Sequence, residues 1–211
     1  MKYRIVDLET IAHPDAGNWL EPVEPDARLV DPVKIKASIE SKTADRNEKL
    51  GLDPDCCRMV ALGYVDVGTG DPVVDLCHDE DQETDVLRRF WASYRQHETT
   101  LVTFYGFLFD LPVLMRRSLY LGVPYPPLSI DKYRSKHIDV WQKLSWNGAI
   151  KAHGLAFYAK RFGIGTLDKV DGADVARLWA AGQYEVVRDH CLSDVGLTHA
   201  LANKLKLLEL R

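Results

Sequence analysis

The feature that most limits what this chain can become is its opening, an apolar run Tyr3-Arg4-Ile5-Val6 that passes straight into Asp7-Leu8-Glu9. A strand alternates its side chains between two faces, so on a strand over Tyr3 to Leu8, Asp7 and Glu9 leave from the same side. Two carboxylates in one small space repel unless a proton or a cation sits between them, and oxygen donors suit a hard divalent ion. Two readings stay open at this point: a solvated strand end, or one wall of a metal site.

The rest of the chain supplies a sheet for that strand. Arg58 to Val67 alternates as a second strand, and the turn Gly68-Thr69-Gly70-Asp71 joins it to Pro72 to Cys77 as a hairpin. Between the first two strands lies an irregular and helical insertion at about 10–57, with five prolines and one helix from Pro32 to about Lys49. An amphipathic helix is expected over Asp81 to His97, a buried strand over Leu101 to Tyr105, and a helix over Leu111 to Leu121 closed by Gly122. Helices over Lys151 to Phe162, Ala173 to Ala181 and Tyr184 to about Leu210 follow, with a short strand at His137 to Val140. Antiparallel strands first and strand-helix units afterwards predict an α/β mixed sheet flanked by helices.

Composition narrows the class. With 211 residues, 46% hydrophobic and 27% charged, the chain has the makeup of one compact domain over 1–211. No segment has the length of a membrane span or the layout of a secretion signal, which predicts a cytoplasmic protein with no membrane contact. Cys56, Cys57, Cys77 and Cys191 lack zinc-ligand spacing and read as reduced structural thiols. A net charge of -4 argues against a uniformly basic nucleic-acid binder, so local clusters matter more.

Two further acids bear on Asp7 and Glu9. Asp110 ends the run Thr103-Phe104-Tyr105-Gly106-Phe107-Leu108-Phe109-Asp110, where a strand gives way to a helix; it serves there either as a helix cap or as a metal ligand. His190 and Asp194 stand four apart in the last helix and share one face, as a surface pair or as two members of a site.

Taken together these segments resemble the DEDD superfamily of 3′-5′ exonucleases. Asp7-Leu8-Glu9-Thr10 is similar to its first motif, Phe107-Leu108-Phe109-Asp110 to its second, and His190 through Asp194 to its third. More closely, the chain resembles the predicted exonuclease family related to the proofreading domain of family-B DNA polymerases. Supporting similarity runs through Asp53 to Tyr64, Phe109 to Leu114, His137-Ile138-Asp139-Val140 and Cys191 to Val195. The resemblance implies a ribonuclease H-like fold and a metal-dependent exonuclease. Asp7, Glu9, Asp110 and Asp194 would hold two divalent cations, Mg2+ or Mn2+, with His190 completing the catalytic set. Leu8, Thr10, Tyr105 and Gly106 would contact substrate. Single-stranded DNA, or RNA, is the implied substrate, and a polymerase or repair protein the implied partner.

The chain departs from its relatives twice. The polymerase-like branch has tyrosine where His190 stands, four residues before the last aspartate; the histidine branch has its histidine five before, where this chain has Asp189. The family also often has asparagine at the place of Tyr105. A neutral imidazole accepts a proton near neutral pH more readily than a tyrosine hydroxyl, so His190 is expected to handle the water's proton, with activity weakening at mildly acidic pH.

A polyanion must reach this acidic centre. Lys132, Arg134, Lys136, Lys143, Lys151, Lys160 and Arg161 interleave with Trp141 and Trp146, the mixture that single-strand grooves use. A second group, Lys34, Lys36, Lys42, Arg46 and Lys49, is mixed with acids and reads as a solvated helix face. The rival from another class is a nucleic-acid-binding or polymerase-accessory module whose site has decayed at His190 and Tyr105. A different metal-dependent phosphohydrolase fits the motif order less well.

Overall fold

The computed structural model describes residues 2–129, 131, 133–165 and 170–208. Lys132, from the first cationic cluster, and Leu210, the expected end of the last helix, lie outside the described residues.

β1 (Lys2–Ala12) pairs antiparallel with β2 (Cys57–Asp66), which pairs antiparallel with β3 (Val73–Leu76). On its other side β1 pairs parallel with β4 (Thr99–Thr103), and β4 with the two-residue β5 (Ile138–Asp139). The sheet order is therefore β3-β2-β1-β4-β5, with the acidic strand in the middle. This is the mixed, helix-flanked sheet of the ribonuclease H-like class.

β1 corrects one expectation. Asp7 and Glu9 do not end the strand, because pairing with β2 continues to Ala12 opposite Cys57, through a register shift between Glu9 and Thr10. The parallel partner stops earlier. β4 pairs with β1 only from Lys2 to Ile5, so both acids lie just past the carboxyl end of β4, where open α/β sheets form their crevices.

Among the described residues there are eight α-helices: α1 (Ala16–Trp19), α2 (Pro32–Lys49), α3 (Glu80–Ser93), α4 (Asp110–Tyr120), α5 (Val140–Leu144), α6 (Leu155–Arg161), α7 (Val175–Ala180) and α8 (Tyr184–Lys204). α3 stops four residues before His97, and α6 starts at Leu155 instead of Lys151, after Gly154. On one face Val6 and Leu8 pack with Leu87, Phe90, Leu111 and Leu114 of α3 and α4. On the other, Ile5 packs with Val195 and Leu201 of α8, while Val60 and Ala61 meet Val187, Cys191 and α7. Each fully buried aliphatic or aromatic side chain contributes about 1.5–3 kcal/mol relative to exposure.

A buried ion pair fixes α4 on this scaffold. Glu83, in the first turn of α3, would serve as an N-terminal acid by sequence; it is wholly buried and receives Arg117 Nε at 2.7 Å and Nη2 at 2.9 Å. The same carboxylate accepts the N–H of Met59 at 3.1 Å, so α3, α4 and β2 are tied at one point. α2, by contrast, buries none of its residues. Its Lys42 and Arg46 donate to the carbonyls of Glu24 and Glu21, and the other cations of this second group are exposed.

Candidate active site

The period of β1 places Asp7 and Glu9 on the α8 side, as alternation requires. Glu9 is buried and Asp7 partly so. Asp7 stands opposite Gly63 of β2. A β-carbon on Gly63 would lie 2.8 Å from Cys191 Sγ and 2.9 Å from Val195 Cγ2, so the glycine lets α8 press against the sheet at this height. One turn of that helix then carries His190, Cys191 and Asp194 over β1. His190 Nε2 lies 3.7 Å from Glu9 Oε1, and Cys191 Sγ lies 3.7 Å from the carbonyl oxygen of Asp7.

Asp110 arrives from the opposite side. It is the first residue of α4, while Phe109 occupies the N-cap position with no side-chain cap. The capping alternative is therefore removed, and Asp110 is buried without that use. Burial pushes its carboxyl up to about 8, aided by the charges of Asp139 and Asp194. Asp7 is raised well above the ordinary carboxylate range by burial and by Glu9, Asp194 and Asp110 in turn. The mutual repulsion identifies the four acids as one electrostatic cluster, drawn from three elements.

That cluster fits a divalent cation. Among the described residues neither Asp7 nor Asp110 has a cationic side chain within ion-pair distance, and the donors are carboxylate oxygens. Asp7 and Glu9 have ligand atoms within 4.8 Å of each other, and Cys191 Sγ completes that triangle. Burial, Asp7 and Glu9 all raise the Cys191 thiol, which keeps it a protonated donor toward the Asp7 carbonyl and makes it a poor ligand.

The other sequence-derived candidates divide. Leu8 is buried in the core on the far face from the acids, so its side chain offers a substrate nothing, contrary to expectation. Thr10 is also turned away, donating its hydroxyl proton to the carbonyl of Gly51 and anchoring the insertion. Tyr105 sits at positive φ (69°), 41% exposed, with its ring edge-on to Trp141 at 4.9 Å. Gly106 is obligatory, since a β-carbon there would stand 1.9 Å from Thr103 Oγ1. Trp146 is 74% exposed. Lys160 joins His190 and Asp194 in lining a groove of about 650 Å3, with Leu155, Asp171 and Leu197. Arg134, Lys136, Lys143, Lys151 and Arg161 are exposed.

Two residues that shape the site are not singled out for it by sequence, Gly63 and Asp139. Gly63 carried a signal, a glycine inside a strand pattern. Asp139 repeats the signature of Asp110, an acid where a strand passes into a helix, and it is buried at 2% exposure.

A central acidic strand, a crossing last helix and a strand-to-helix acid define a ribonuclease H-like nuclease. The chain belongs to the family of predicted 3′-5′ exonucleases related to the exonuclease domain of PolB, whose sequence pattern matches residues 52–210. It is by that membership a metal-dependent 3′-5′ exonuclease, a hydrolase. Asp110, His190 and Asp194 fall inside the matched stretch; Asp7 and Glu9 precede it and join through β1. In fold, the structure is similar to the family B DNA polymerase of the hyperthermophilic archaeon Pyrobaculum calidifontis, with a TM-score of 0.59 and 19% identity over 98% of this chain and 24% of that one. E. coli exonuclease I in complex with a dT13 oligonucleotide aligns with a TM-score of 0.46 and 14% identity, over 97% of this chain and 41% of that one. The chain thus spans about a quarter of the polymerase and under half of exonuclease I. No curated protein matches it in sequence. Among the described residues no helix is long and apolar enough to cross a membrane.

Proposed function

We propose that this protein, acting as a single exonuclease domain in the cytoplasm, removes nucleotides from the 3′ end of single-stranded DNA and releases nucleoside 5′-monophosphates. The observation that carries the reading is the convergence of Asp7, Glu9, Asp110 and Asp194 beside a groove that also contains His190 and Lys160. Asp7, Glu9, Asp110 and Asp194 would hold two divalent cations, Mg2+ or Mn2+. Bound there, such ions lower the pKa of a water and offset charge on the scissile phosphate.

The chain's own groups do the rest. His190, beside Glu9, accepts the attacking water's proton, a role that geometry at 3.7 Å from the carboxylate favours by orienting the ring. Lys160 and the exposed cations of 134–161 draw the phosphate backbone toward an otherwise acidic centre. Tyr105 and Trp141 present aromatic surface on which bases stack. A polymerase or repair protein is the partner this activity suits.

The test uses an oligonucleotide labelled at its 5′ end with a free 3′ hydroxyl, as DNA and as RNA, with Mg2+, Mn2+ or chelator. A metal-dependent ladder that Asp7→Ala abolishes is expected on DNA, and His190→Tyr should retain measurable activity. Binding without shortening would favour the accessory-module reading instead.

A further inference from the structure

Asp139 closes β5 and is spent on main-chain donors. Its Oδ1 accepts the N–H of Tyr105 at 3.0 Å and of Gln142 at 3.2 Å, and its Oδ2 accepts the N–H of Phe107 at 3.1 Å. The bond to Gln142 is an ordinary helix cap for α5. The other two leave α5 altogether and seize alternate amides of the loop that leads to Asp110. A buried carboxylate receiving three N–H groups makes strong, charge-assisted bonds, and both of its oxygens are engaged by the main chain.

The same loop is gripped from its other side. The carbonyl of Gly106 accepts the N–H of Leu111 at 2.9 Å, and that of Tyr105 accepts the N–H of Leu108 at 3.2 Å, so the loop's carbonyls wind its own chain into α4. Thr103, on which Gly106 is packed, is held in turn by His137 Nε2 at 2.9 Å. α4 has no capping side chain of its own. Its start, and with it Asp110, is therefore located by the loop, and the loop by Asp139.

We infer that Asp139 is a positioning residue: by fixing the amides of Tyr105 and Phe107 it sets where Asp110 stands, and so the affinity of the site for a divalent cation. The inference rests on the metal-holding role given to Asp110 above. Groups that orient a ligand from behind change metal affinity by about 10- to 100-fold when replaced. Asparagine matches Asp139 in size and offers one acceptor in place of two, so one loop N–H would face an amide N–H.

The test is a Mn2+ titration followed by the electron paramagnetic resonance signal of the free ion, on wild type, Asp110→Asn and Asp139→Asn, with a thermal melt of each sample. The expected result is Mn2+ binding by the wild type, its loss in Asp110→Asn, and binding weakened about tenfold or more in Asp139→Asn. Wild-type affinity in Asp139→Asn, with Asp110→Asn still defective, overturns this inference and leaves the proposed function standing, since Asp139 would then be a cap for α5 and no more. A wild type that binds no Mn2+ overturns both. If Asp139→Asn does not fold, Asp139→Glu carries the test: it keeps the carboxylate and shifts it by one methylene, so weaker binding is again expected and unchanged binding overturns the inference.

Discussion

Gly63 and Asp7 face each other across the antiparallel ladder, and the missing side chain of the first is what allows α8 to reach the second. A methyl group on Gly63 would meet Cys191 Sγ and Val195 Cγ2 at under 3 Å. Gly63→Ala is therefore expected to cost about 1–3 kcal/mol of stability through overpacking and to lift Asp194 and His190 off β1. The loss of exonuclease rate should exceed what the fall in folded fraction explains. Rates and melting temperature measured on the same preparation check this; full activity with a wild-type melt would contradict it.

Chelation and pH should act together on the acidic cluster. The Asp110 carboxyl is raised to about 8, whereas in an unfolded chain it titrates near 3.9. Between roughly pH 4 and 8 the folded protein thus keeps a proton that the unfolded chain has lost, so this group's contribution to stability is largest at low pH and declines as pH rises. In chelator, Asp110→Asn should melt increasingly above wild type from pH 5 to 8. Cation binding needs the proton removed, so Mn2+ should raise the wild-type melting temperature more at pH 8 than at pH 5.5. Thermal melts across this range, with and without chelator, decide it.

His137 runs the opposite way. Burial lowers its imidazole from 6.5 to about 3, so it is neutral in the fold. The unfolded chain takes up a proton below 6.5 that the folded chain refuses, and stability present above that pH is lost as pH falls toward 3. At pH 5.5 the loss is about 1.4 kcal/mol. His137→Gln, which keeps an acceptor for Thr103 and cannot titrate, should remove that part of the acid sensitivity. Urea unfolding of both proteins at pH 5.5 and 7.5 measures it; parallel losses in the two would count against the buried neutral ring.

Periodicity made the sheet readable. The hairpin of β2 and β3, the turn between them and the start of α4 all follow from alternation, glycine placement and helical spacing in the sequence. The length of β1 did not, because Glu9, Thr10 and Ile11 alternate weakly and only pairing with 57–61 extends the strand. Asp7, Glu9, Asp110 and Asp194 stood out as carboxylates at element ends or on one helical face. Leu8 and Thr10 stand beside the acids in the motif, while the pleat sends their side chains to the other face. Asp139 was visible only as part of a similar stretch, since nothing local reveals that its partners are the amides of residues 105 and 107.

The contact between Cys191 and the main chain of Asp7 joins residues 184 positions apart. A pairing of such separation carries a large loop-closure entropy and raises the contact order of the fold. The acids of the cluster come from three separate stretches of sequence, in β1, α4 and α8. The acidic cluster is therefore a property of the whole chain, brought together only when β1 lies between β2 and β4 with α8 across it.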